Sequence, residues 1–173
     1  MLARRAAGRL RHLDCSHVKL HQDGANPAGG QATQAIGRTK GGLNTKVAAV
    51  VDAYGRAVGL SVAPGPQHDL KAVEPLLAML RNKHVVADRG FDADTFHRTL
   101  QQHRVQACIR PKRARAWRHA FHRGYYCRRH RIENFFGRLK RYRRIATRYD
   151  KLASIYLAFV QFAASLDWLT YRV

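Results

Sequence analysis

Between Arg110 and Arg148 the chain carries 15 Lys/Arg and a single acid, Glu133; every other acid falls at or before Asp94 or at or after Asp150. A lone carboxylate in such a field is not needed for charge balance. It has the chemistry of a metal ligand or a proton acceptor set among phosphate binders. The surrounding YYCRRHRIENFFGRLKRYRRI (125–145) has no proline and one glycine, so its pattern predicts one helix. At about 100° per residue, Tyr126, Arg129, Glu133 and Lys140 fall within a stripe about 60° wide. On spacing alone, a solvated basic helix with an incidental Glu, paired to Arg129 four residues earlier, fits as well.

That helix needs elements to bring other acids to it. His12–His21 alternates as a strand with Asp14 near its middle, and Thr45–Asp52 and Ala57–Ala63 form a hairpin turning at Tyr54-Gly55-Arg56. Asp69 is placed to cap a helix over 70–81, with Val73, Leu76, Leu77 and Leu80 as its apolar stripe. His84–Ala87 is a short buried strand ending on Asp88, the strand end where α/β proteins bind ligands. Asp94 is placed to cap a helix over 95–103, Val105–Ile109 is a fifth strand, and a last helix runs from Lys151 to about Tyr171. Residues 22–43 read as a glycine-rich loop with a basic end at Arg38 and Lys40. Residues 111–125 read as a basic loop holding Lys112, Arg113 and Arg115, with Trp117 and Phe121 interleaved; 1–10 read as a basic arm. The order predicts one α/β domain with a mixed sheet over 11–173. Asp92 and Asp94 rival Asp88, but both follow Gly90 and read as turn and cap residues; Asp52 is a weaker rival.

Three stretches together resemble a known family. The spacing Tyr126, Arg129, Glu133, Lys140 resembles the signature helix of the DDE transposases of bacterial insertion sequences, the IS-five/IS-four group. LDCSHVKLH (13–21) is similar to that group's first-Asp strand and VVADRGFDAD (85–94) to its second; the tail from Arg143 resembles its closing helix. The resemblance covers about residues 11–170. It implies a ribonuclease H-like fold, with the mixed sheet flanked by helices, in which Asp14, Asp88 and Glu133 meet and hold two Mg²⁺ ions, with Mn²⁺ as the alternative. Such ions suit phosphodiester hydrolysis and strand transfer, because they activate the attacking oxygen and stabilise the leaving one. It also implies that Tyr126, Arg129 and Lys140 face DNA, and that His68-Asp69, a pair common in the group, supports the site or caps a helix. Arg38, Lys40, Lys112, Arg113 and Arg115 then become phosphate contacts. The implied partners are the terminal inverted repeats and target DNA, an oligomer assembled on them, and an upstream-frame product. That product is expected because only about a dozen residues precede Asp14, where the family usually has a helical DNA-recognition region. Cys15 also stands where the family commonly has Ser.

Composition agrees with such partners. A net charge of +21 predicts a polyanion, usually nucleic acid. Three cysteines without a CxxC pair predict no disulfide framework, and ten histidines show no zinc spacing. No GxxxxGK[ST] phosphate loop is present. The apolar run 152–166 is too short to span a bilayer, and the start shows no signal peptide, so a cytoplasmic, nucleoid-associated protein with no membrane partner is expected. The competing class is a non-catalytic basic nucleic-acid-binding protein, for which the same charges and aromatics would serve.

Overall fold

The computed structural model describes residues 8–115 and 121–170. The strands are β1 (Leu10–Leu20), β2 (Gly37–Thr39), β3 (Gly42–Asp52), β4 (Ala57–Pro64), β5 (His84–Ala87), β6 (Gln106–Ile109) and β7 (Thr147–Arg148). The helices are α1 (Asp69–Ala72), α2 (Asp94–Gln102), α3 (Arg123–Tyr126), α4 (His130–Leu139), α5 (Arg143–Ala146) and α6 (Ala153–Thr170). The path β2-β3-β1-β5-β6 forms one sheet, with β4 also on β3 and β7 also on β1. β3 runs antiparallel to β1 and β4, whereas β5 is parallel to both β1 and β6. Through the long strands the order is therefore β4-β3-β1-β5-β6, the mixed sheet of a ribonuclease H-like fold.

The period of two along β3 builds both faces of the core. Ala48 and Val50 point to one side with Leu13, Val85 and Ala87, covered by Val73, Leu76 and Leu80 and by Phe96 and Leu100 of α2. Val47, Ala49 and Val51 point to the other, covered by Ile132, Phe135, Phe136 and Leu139 of α4 and by Tyr156 and Val160 of α6. The α4 residues follow the i, i+3, i+4, i+7 spacing of a one-sided helix. At the β3–β4 turn, Asp52 accepts from the backbone N–H groups of Tyr54 and Arg56 at 2.8 and 3.0 Å, and Gly55 takes φ +82°. A side chain would be strained in that conformation.

Several expectations need correction. The helix over 70–81 is α1 followed by a 3-10 segment over Glu74–Leu80, because Pro75 lacks an N–H and its ring blocks an α-helix from continuing. His68, not Asp69, caps α1, its ring nitrogen accepting from Leu70 N at 3.3 Å. Asp94 does not cap α2; it is the first helical residue, behind Ala93, and pairs with Arg115. The 22–43 loop contains two 3-10 turns and strand β2, since the backbone of Gly37–Thr39 finds partners on the start of β3. Leu10 is no part of a loose arm: it is buried as the first residue of β1. The single helix over 125–145 is in fact α3, a 3-10 turn over Cys127–Arg129, α4 and α5. Trp117 and residues 1–7 lie outside the described residues.

Candidate active site

The register of β1 and β5 brings two acids together. Leu13 pairs with Ala87 in the last parallel rung, so Asp14 and Asp88 are the next residue on each strand. Beyond them the strands part, and β1 meets β7 only at Lys19 and Leu20. Asp88 stands at the N-cap of a 3-10 turn, Arg89–Phe91, yet its side chain makes no capping bond. Asp14 accepts from Cys15 N at 2.8 Å. Burial pushes the Asp14 carboxyl up to about 6; Asp88 and Asp69 add to the rise, while the Cys15 bond and Arg129 oppose it.

Arg129 connects this pair to Glu133. Its guanidinium lies 2.5 Å from Glu133 Oε1 and 3.8 Å from Asp14 Oδ2. Burial works against its charge, but Glu133, Asp88 and Asp14 together raise its pKa. The middle of β1, the residue after β5 and the start of α4 thus converge on one cation. A second layer lies behind Asp14. Lys46, buried on β3, donates to Asp69 Oδ1 and to Gln67 O, both at 2.5 Å. Burial next to Asp69 and Asp14 pushes the Cys15 thiol far up. The sequence reading missed Lys46, although a lysine inside an otherwise apolar strand was a visible signal.

The rival acids are all committed elsewhere. Asp92 is buried and accepts from His97 Nε2 at 3.0 Å, Lys112 N at 2.8 Å and Arg115 Nε at 3.1 Å. Burial alone would raise its pKa, but these bonds hold it below the usual carboxylate range. Asp94 takes Arg115 Nη2 at 2.7 Å. Asp52 holds its own turn and the Arg56 guanidinium.

The expected basic contacts divide. Tyr126 is half-buried, packed edge-on against Phe121 beside Leu10 and Val86, and so is turned toward the sheet. Lys140 donates to His17 O at 3.0 Å, and burial lowers its pKa. The stripe drawn on a uniform helix is therefore broken, and of its members the structure brings only Arg129 and Glu133 together with the aspartates. Arg115 is tied to Asp92 and Asp94. Arg38 on β2, Lys40 in its turn, and Lys112 and Arg113 are exposed. Lys40 also lines a shallow cleft of about 430 Å³ with His17 and Lys19, on β1 a few residues beyond Asp14. His17 and Lys19 were not singled out in the sequence; both are exposed on the strand that carries the first acid.

Carboxylates on three elements have the oxygen chemistry that hard divalent cations prefer, but among the described residues no three His, Cys, Asp or Glu side chains stand close enough together to hold a metal ion. The Arg129–Glu133 pair is itself the i, i+4 helix salt bridge that the spacing alone allowed.

Comparisons with known proteins identify the family. The family model of the transposase DDE domain matches residues 6–168. A Brucella ovis protein assigned as transposase for insertion sequence element IS6501 is 36% identical over 135 residues, 73% of this chain and 99% of that protein. Among solved structures, a Mos1 transposase paired-end complex with left transposon end aligns at 12% identity and TM-score 0.40, over 76% of this chain and 54% of that one. A pre-cleavage Mos1 transpososome aligns at 10% identity and TM-score 0.37, over 94% and 58%. The chain spans less than two thirds of the length of these solved transposases. With the family model matched over nearly its whole length and a relative of this identity, the chain belongs to the transposase DDE domain family.

Proposed function

We propose that this chain is the catalytic domain of an insertion-sequence transposase that hydrolyses and rejoins phosphodiester bonds, with Asp14, Asp88 and Glu133 holding its metal. The family uses divalent metal ions; Mg²⁺, as two ions, is the choice these oxygen donors favour, and Mn²⁺ should substitute. When bound, such ions activate the attacking oxygen and stabilise the leaving one. The observation that carries the reading is Arg129, whose guanidinium spans Glu133 and Asp14 beside the uncapped Asp88.

The chain's own residues have distinct tasks in this reading. Asp14 must release its proton to act as a ligand, which its raised pKa sets near pH 6. Arg129 keeps the carboxylates apart and oriented, and its planar fork can turn to a phosphate oxygen once the acids have another cation. Lys46 fixes Asp69, whose charge adds to the rise in the Asp14 pKa. Lys40, Arg38, Lys112 and Arg113 supply exposed charge along the approach for a DNA backbone; they position the duplex without reading its sequence. The DNA partners in this reading are the terminal inverted repeats and target DNA.

The test is nicking of supercoiled DNA with and without Mg²⁺. Metal-dependent nicking by the native chain that disappears in Glu133→Gln, with the circular dichroism unchanged, is expected. Nicking that survives this substitution would sink the assignment.

A further inference from the structure

The shallow cleft of His17, Lys19 and Lys40 is completed by Thr39, Gly41 and Asn44, where β2 turns into β3. It is a built site rather than a gap between lysines. Asn44 is buried, and its amide nitrogen donates to Thr39 Oγ1 at 2.5 Å and to Gly42 O at 3.0 Å. Its oxygen is thereby left for His17 Nδ1 at 3.2 Å, which must donate there and leaves Nε2 for the cleft. Gly65 packs so closely on this amide that a Cβ would stand 1.5 Å from Asn44 Oδ1. His17, Lys19 and Lys40 are exposed, and among the described residues no acid pairs with either lysine.

The strand β1 also has an open edge beside the cleft. Between the Leu13–Ala87 rung and Lys19, no described strand pairs with it on its β5 side. By the period of two, Asp14 faces one side of the sheet and His17 and Lys19 the other. A nucleic-acid strand crossing that edge touches both sides.

We propose that this cleft grips a backbone phosphate of the DNA strand being cut, about five nucleotides from the scissile bond. Lys19 lies five residues beyond Asp14, about 17 Å along an extended chain at about 3.3 Å per residue. One strand of DNA rises about 3.4 Å per nucleotide. Two ammonium groups and an imidazole nitrogen suit phosphodiester oxygens. The five-nucleotide placement rests on the catalytic reading of Asp14; the grip itself does not.

A short end-labelled duplex tests the placement, because each nick lies at a known distance from both ends. The native chain with Mg²⁺ should cut the interior and stop about five nucleotides short of one end, where the gripped phosphate is missing. Lys19→Ala and Lys40→Ala should each lower interior cutting severalfold and erase that end effect. In fluorescence anisotropy each should lower the slope of log K against log salt by up to about 0.9. Arg98→Ala, which removes an exposed base on α2 outside the cleft, should leave the slope unchanged. The slope needs no cleavage, so it judges the grip even where absent nicking has sunk the catalytic reading. Native slopes in both lysine variants overturn the proposal, and so does an equal drop in Arg98→Ala. Native cutting that runs to both ends overturns the five-nucleotide placement.

Discussion

Asp88 and Asp92 stand four residues apart around one turn, and their surroundings are opposite. Asp92 is buried, and each of its oxygens is engaged: one by His97, the other by Lys112 N and Arg115. Asp88 sits at a cap position without capping, next to a second carboxylate whose pKa is raised to about 6. The basic residues show the same division. Arg148 is fully buried and gives its guanidinium to Asp150 O, Lys151 O and Thr45 Oγ1 at 2.8, 3.0 and 2.7 Å. Arg138 is bound by both oxygens of Asp167 at 2.7 and 3.0 Å. Arg129 instead spans two acids and is well placed on only one. Side chains whose bonds are complete hold the fold; those left incomplete are free for another ligand.

The sharpest way to break this contrast is to neutralise one acid of each kind. Asp88→Asn and Glu133→Gln should each cost several kcal/mol of transition-state stabilisation, roughly 10³-fold or more in nicking rate. Their unfolding midpoints should remain close to the native value. Asp92→Ala should do the reverse, losing about 3–5 kcal/mol in urea unfolding because buried donors are left unpaired, while the rate per folded molecule persists. If Asp92→Ala abolished nicking without a loss of stability, the division drawn between the two aspartates would be wrong.

Asp14 sharpens the same point through pH. Its pKa is raised in the folded protein, so between the ordinary carboxylate value and about 6 the native state binds more protons than the unfolded one. Stability of the metal-free native chain should therefore fall as pH rises through that window, and Asp14→Asn should be spared the fall. The gap at pH 8 is bounded at about 3 kcal/mol by the size of the shift. Thermal unfolding in EDTA at pH 4, 6 and 8 measures it; an Asp14→Asn variant less stable than the native chain at pH 8 would mean that Arg129 outweighs burial.

Much of this was legible in the sequence because it depends on local pattern. The lone Glu133 in a basic field, the apolar strand stopping at Asp88 and the alternation around Asp14 are short-range signals, but that these three acids form one site was implied by the family resemblance and not by pattern. The order of elements came from the same source. What could not be read depends on long-range pairing. Projecting Tyr126, Arg129, Glu133 and Lys140 onto one stripe assumes 100° per residue throughout. The 3-10 turn at Cys127–Arg129 advances about 20° more per residue, which swings Tyr126 away by about 60°. The end of α4 at Leu139 then drops Lys140 onto the His17 carbonyl. Nor does composition show that Arg115, Arg138, Arg144 and Arg148 are met by Asp92, Asp167, Asp150 and the backbone around it, since the acids absent from the basic run return to it only in the fold.

That last point gives the smallest effect and the finest test. If the 15 bases between Arg110 and Arg148 were equivalent, each would weaken DNA binding alike when removed. The structure separates them. Arg141 and Arg143 are exposed on the turn after α4 and at the start of α5, whereas Arg148 is buried between β7 and the loop before α6. A phosphate contact releases a counterion, so its loss lowers the slope of log K against log salt by about 0.9. Arg143→Ala and Arg141→Ala should each lower the slope by up to that amount, nearly additively, with little change in stability. Arg148→Met should leave the slope unchanged, because that charge never reaches a phosphate. It should instead lower stability by about 1–3 kcal/mol for each acceptor left unpaired. Fluorescence anisotropy with one duplex over a range of NaCl, together with urea unfolding of each variant, reads both quantities. Should Arg148→Met flatten the slope while the fold holds, Arg148 would have to leave its buried bonds to meet DNA, and complete bonding would no longer mark a structural residue.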